Sequence, residues 1–139
     1  IIKLHPTFDI LNISKIIHEK FPEIQVIEKA NINPLIRKCS SLIVTGISTV
    51  IIQGQILQKP VISIPLINYN WGEPSIYTEK SCLLIKLEQL EMNLKKIRDD
   101  PNFKNEIITN GNKFLNNCFK NKDDSCKLIW NYIKKISIN

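Results

Sequence analysis

The sequence predicts a doubly wound α/β domain, a parallel sheet with helices on both faces, followed by a helical C-terminal tail. Three observations predict it. Short apolar runs rich in Ile, Val and Leu, such as "LIVT" and "VISIP", recur along the first two thirds of the chain. Helical patterns of about ten residues separate them, the rhythm of parallel strands buried on both faces. From Leu87 onward no strand pattern returns, and the chain reads as helix to its end. At 139 residues it is one domain's worth, long enough to bury a core, and 1–139 is read as a single domain.

The elements follow in order. Residues 1–5 form a strand that Pro6 ends. Asp9 is placed to cap a helix to Lys20, with Ile10, Ile13, Ile16 and Ile17 on one face. Residues 24–28 form the second strand, and Asn33-Pro34 opens a short helix with Asn as its cap. Residues 42–45 form the third strand and 49–58 the next helix, before Lys59-Pro60 turns the chain into a fourth strand, 61–65. The stretch "LINYNWGEPSIYTEKS" reads as a loop, residues 82–86 as a fifth strand, and 87–99, 101–119 and 123–135 as helices. In those tail helices Ile97, Phe103, Phe114, Leu115, Leu128, Ile129 and Ile133 are expected to pack inward.

The net charge is +6, and 17 of the 19 basic residues are Lys, scattered along the chain beside only Arg37 and Arg98. A nucleic-acid site is better marked by Arg, clustered charge and interleaved aromatics, so no nucleic-acid partner is expected. A weakly basic face toward anionic lipid headgroups fits this charge better. Cys39, Cys82, Cys118 and Cys126 are widely spaced, form no CxxC pair and have no His at ligand spacing. They read as reduced structural thiols of a cytoplasmic protein, and no metal or cofactor is called for. The chain runs from Ile1 directly into an apolar stretch, which reads as a piece of a longer protein whose partner half is N-terminal.

In an open parallel sheet, ligands bind outside the carboxyl ends of the strands. There the sequence places His5, the 28–34 loop, Thr45-Gly46-Ile47-Ser48-Thr49, and the loop after Pro65 that holds Tyr69, Trp71 and Glu73. A helix start leaves backbone N–H groups unpaired, Gly46 would admit an anion close to the backbone, and Ser48 and Thr49 add hydroxyl donors. Two readings of this turn stay open: a phosphate cradle, or a tight turn at Gly46 with Ser48 as an ordinary helix cap. His5, at the same sheet edge, can donate a hydrogen bond to a phosphate as a cation. His18 lies on a helix and is expected at the surface.

The order "KLHP", then "LIVTGISTVIIQGQILQKPVI", then a Lys-rich helical tail resembles the C-terminal half of GT-B glycosyltransferases. It is most similar to the branch with a His-Pro motif followed by a Ser/Thr-Ser/Thr motif, which includes capsule polysaccharide transferases, CDP-glycerol glycerophosphotransferases and bacterial-type sialyltransferases. The resemblance covers roughly residues 1–100 and is strongest over 42–65.

The resemblance implies a Rossmann-like fold that binds a nucleotide-activated sugar or CDP-polyol donor. His5 would contact the donor phosphate and act in catalysis, with Thr45, Gly46, Ser48 and Thr49 as the rest of the phosphate site. The position one helical turn on, commonly acidic in GT-B proteins and in contact with sugar or ribose, is Gln53. The common small residue before "KP" is Gln58. The acceptor site and catalytic base of such enzymes lie on the N-terminal half, so this half alone would bind the donor and catalyse nothing. Two rivals remain: a UDP-N-acetylglucosamine 2-epimerase-like enzyme, which keeps an acid where Gln53 stands, and a non-catalytic domain with the same fold. A final GT-B helix often crosses to the N-terminal half, which would leave part of the tail's apolar face uncovered.

Overall fold

The computed structural model describes residues 1–5, 10–66, 72–119 and 124–136. The chain is α/β: among these residues five strands pair in parallel within two small sheets, alongside seven α-helices. It falls into two compact units, Ile1–Cys39 and Ser40–Asn139.

In the first unit β1 (Ile2–Lys3) pairs in parallel with β2 (Val26–Ile27), Ile2 opposite Val26 and Lys3 opposite Ile27. Helix α1 (Ile10–Lys20) connects them. Both strands are shorter than expected. The last rung is the Leu4 N–H on the Ile27 carbonyl at 3.0 Å. The Leu4 carbonyl, the next acceptor, is taken by the Lys3 ammonium at 2.6 Å, and the next donor on that strand would be Pro6, which has no N–H. Asp9, the expected cap of α1, lies outside the described residues. Of the expected apolar face of α1, Ile13 and Ile17 are half-buried but Ile16 is half-exposed. Helix α2 (Ile32–Lys38) begins two residues earlier than expected, because Asn31 rather than Asn33 caps it. The Asn31 side chain accepts from the Asn33 N–H at 3.1 Å, which leaves Pro34 inside the first turn, where a missing N–H costs nothing.

The second unit holds β3 (Leu42–Thr45), β4 (Val61–Ile64) and β5 (Leu83–Leu84), parallel and in that order. Leu42 to Thr45 face Val61 to Ile64 rung by rung, and Ile62 and Ser63 face Leu83 and Leu84. Central β4 is buried along its whole length. Because strand side chains alternate, Val61 and Ile62 point to opposite faces, and each joins a different apolar cluster. Val61 packs with Val44, Ile51, Ile76, Tyr77 and Phe114. Ile62 and Ile64 pack with Ile85, Ile97 and Ile107.

Helix α3 (Thr49–Ile56) crosses from β3 to β4 and lies close on the sheet at Gly54. A Cβ there would stand 2.7 Å from Leu42 Cδ2 and 2.8 Å from Val61 Cγ2. The helix ends by wrapping its last carbonyls: the Lys59 N–H reaches the Gly54 carbonyl and the Gln58 N–H the Gln55 carbonyl, both at 3.0 Å. That closure puts Gln58 in the left-handed region, φ 56°. The Gln58 and Asn112 amides then exchange two hydrogen bonds, of 2.7 and 3.0 Å.

The stretch expected to be all loop contains a short helix, α4 (Ser75–Thr78), which buries Ile76 and Tyr77. A 3-10 turn (Leu87–Gln89) leads into α5 (Leu90–Asp99). Helix α6 (Pro101–Cys118) follows, its start fixed by Asp100, whose carboxylate accepts from the N–H groups of Asn102 and Phe103. Helix α7 (Ser125–Ile136) completes the described chain. Ile97, Phe114 and Leu115 are buried as expected and Phe103 is half-buried. Leu128, Ile129 and Ile133 are not: they are 48%, 60% and 46% exposed. The apolar cluster around Ile62 and Ile64 is closed by α5 and α6 through Leu94, Ile97, Phe103 and Ile107, with no residue of α7.

Among the described residues no helix is long and apolar enough to cross a membrane. The four cysteines are free thiols; Cys82 is buried, Cys39 half-buried, and Cys118 and Cys126 are exposed.

Candidate functional site

The strand-to-helix junction at residues 45–49 sits at the carboxyl end of β3, beside the carboxyl end of β4. Thr45 ends the strand with its side chain exposed. Gly46 then takes φ 80°, a conformation that a side chain disfavours, and so turns the chain toward α3. Both of its peptide groups are anchored on β4. Its N–H donates to the Ile64 carbonyl at 2.9 Å, and its carbonyl accepts from the Ser63 hydroxyl at 3.2 Å.

Ser48 is the N-cap of α3, its hydroxyl oxygen accepting from the Val50 N–H at 3.2 Å. Its carbonyl takes the Ile51 N–H at 3.0 Å. Thr49 occupies the first helical position and is exposed. The structure therefore commits the N–H groups of Gly46, Val50 and Ile51 to the chain itself. An anion at this turn would draw on the hydroxyls and the dipole of the helix start, not on the Gly46 N–H. The Ser48 oxygen accepts in the cap while its proton remains available to donate, so the cap and the phosphate contact are compatible.

Gln53 lies one turn beyond Thr49 on α3 and is half-buried. Its Oε1 is shielded from solvent and has no hydrogen-bond partner among the described residues. A shielded carbonyl oxygen without a donor is costly, and a ligand hydroxyl or a water at this point would relieve it. The neighbouring Gln55 is more deeply buried. Its Nε2 is held by the Ser81 carbonyl and hydroxyl at 3.0 Å each, which ties α3 to the chain after α4.

Two residues beneath the turn escape a sequence reading. Ser63, fully buried in β4, lies 2.8 Å from the Tyr77 hydroxyl while it donates to Gly46. The only signal was a hydroxyl in the middle of an otherwise apolar strand, where a buried polar group requires a partner.

His5 belongs to the first unit, two residues past β1, and its side chain is exposed. Thr45, Gly46, Ser48, Thr49 and Gln53 belong to the second unit, where the fold brings them together. His18 is exposed on α1, as expected. Glu73 is exposed, and Tyr69 and Trp71 lie outside the described residues. A separate groove of about 370 Å³ runs past β5, lined by Tyr77, Lys80, Leu84, Phe103, Glu106 and Asn110, and includes none of the expected site residues. Among the described residues no three His, Cys, Asp or Glu side chains are grouped to hold a metal ion.

No family model, curated protein or solved structure matches the chain.

Proposed function

We propose that the chain is the donor-binding half of a GT-B-type transferase, acting in surface-polysaccharide or related glycan synthesis at the cytoplasmic face of the membrane. The observation that carries the reading is the junction at 45–49, where Gly46 at φ 80° directs a capped helix start to the carboxyl end of a parallel strand. On this reading Ser48 and Thr49 donate their hydroxyls to the phosphate of a nucleotide-activated sugar or polyol, Thr45 lines the site, and Gly46 sets the angle of approach. Gln53 offers its Oε1 to a hydroxyl of the sugar or ribose. The proposal includes a doubly wound sheet and a donor-phosphate role for His5, whose imidazole would stabilise charge on the departing nucleotide without a covalent step. A second half, supplying the acceptor site and the base, completes the enzyme.

One observation favours a different class, a non-catalytic domain of the same fold. The N–H groups of Gly46, Val50 and Ile51 are all used within the chain, as a plain turn and cap require. A nucleotide screen separates the two. With the isotope-labelled chain, CMP, CDP or UDP should shift the amide resonances of residues 45–49 and the Gln53 side-chain amide in a saturable manner. If none of the three moves them at millimolar concentration, the donor-binding reading fails and the non-catalytic one stands.

A further inference from the structure

Helix α7 has twelve residues, none of them buried. At 100° per residue Leu128, Ile129, Tyr132, Ile133 and Ile136 fall within an arc of about 140°, Lys127, Asn131 and Lys134 fall opposite it, and Lys135 stands at its edge beside Leu128. The apolar side is strongly exposed: Leu128 48%, Ile129 60%, Tyr132 67% and Ile136 57%. Trp130, 57% exposed, falls on the Lys side, with the Lys134 ammonium 5.2 Å from its ring centroid. Within Ser125–Ile136 every charge is positive, and the Asp124 carboxylate stands at the start of the helix, where the Asp124 carbonyl accepts from the Leu128 N–H at 2.9 Å.

We propose that α7 is a membrane-surface anchor that lies in the headgroup layer of an anionic bilayer. Its apolar side enters the acyl boundary, and Lys127, Lys134 and Lys135 reach anionic headgroups. Three features favour a lipid surface over a protein groove. At 1.5 Å per residue the twelve residues extend about 18 Å, too short to span a hydrocarbon core of about 30 Å but suited to lying along it. An all-basic polar side matches a uniformly anionic surface, whereas protein rims mix both signs. The amphipathic ring of Tyr132 suits the headgroup level, and long Lys side chains can keep their ammonium groups in water while their stems lie on lipid. The proposal uses no residue of the donor site, but it assigns to lipid a face that the GT-B resemblance would give to an N-terminal half.

The test is co-sedimentation of the full 139-residue chain with vesicles of phosphatidylcholine and phosphatidylserine at 3:1, against phosphatidylcholine alone. Binding to the mixed vesicles is expected to be at least about tenfold stronger and to fall in high salt. Replacing Lys127, Lys134 and Lys135 by Gln should cost about fivefold for each charge removed. Leu128→Glu with Ile129→Glu should abolish binding without moving the melting temperature, since α7 contributes no buried side chain to the core. Equal binding by the parent chain and the double Glu variant would overturn the proposal. So would the absence of vesicle binding together with a self-associated chain that the double Glu variant renders monomeric, because α7 would then be a protein–protein face.

Discussion

Gly46 and Ser48 have structural duties that any functional test must allow for. A Val at position 46 would carry a β-branched side chain at φ 80°, where the cost is on the order of 1–3 kcal/mol, and it would threaten both anchors to β4. Gly46→Val should therefore lower the denaturant midpoint before it says anything about ligands; an unchanged midpoint would mean the turn is not held as described. Ser48→Ala removes the acceptor for the Val50 N–H and should cost about 1 kcal/mol, whereas Thr49→Val at an exposed position should leave stability nearly unchanged. Burial sets the chemistry of Cys82. Desolvation raises its thiol, a hydrogen bond with Ser81 opposes this in part, and the net result is a rise from 9.0 to about 11. The folded state thus favours the neutral thiol, a contribution fully present below pH 9.0. Between there and about 11 the unfolded chain ionises first and the contribution is lost, on the order of 2 kcal/mol. Denaturant titrations at pH 8 and pH 10.5 should show a smaller loss for Cys82→Ala than for the parent chain. Equal losses would place the thiol in water.

At the scale of elements, the β3–α3–β4 unit depends on a close approach. The Gly54 position already has side-chain carbons of Leu42 and Val61 where a Cβ would go, so a large residue has no space without lifting α3 from the sheet. Gly54→Leu should destabilise the chain by roughly 1–3 kcal/mol despite the gain in helix propensity. A melting temperature at or above that of the parent would show the helix is not seated so closely. This unit was also the most legible in the sequence. An unbroken apolar run, a Gly at the turn, a Ser before the helix and a Lys-Pro after it each gave a local signal, and β3 ends where expected. Strands β1, β2 and β5 came out shorter, because a strand's length depends on the partner across the ladder, which a single run does not encode. The four residues of α4 offer no period to read. The amphipathic pattern of α7 was legible, but periodicity reports a face without reporting whether anything covers it.

Over the whole molecule, the sequence placed Thr45, Gly46, Ser48 and Thr49 at one sheet edge, and the second unit assembles them there. The support beneath them was not legible, since Ser63 and Tyr77 lie 14 residues apart and meet only once the chain has turned back. Gln53 was identified through a resemblance, and its shielded, partnerless Oε1 emerged only from the packing of α3. The central claim is that these residues read a phosphate. The most direct measurement is calorimetric titration of the chain with CDP or UDP, whichever binds, and with the matching nucleoside, repeated for His5→Ala and for Ser48→Ala with Thr49→Val. Melting temperatures would report the folded fraction. An ionic hydrogen bond contributes roughly 1.5–3 kcal/mol, so His5→Ala should weaken nucleotide binding about 10- to 150-fold. The hydroxyl variants should weaken it less, and nucleoside affinity should stay the same throughout. Equal losses for nucleotide and nucleoside would mean that the site reads the base, contradicting the phosphate role of His5, Ser48 and Thr49.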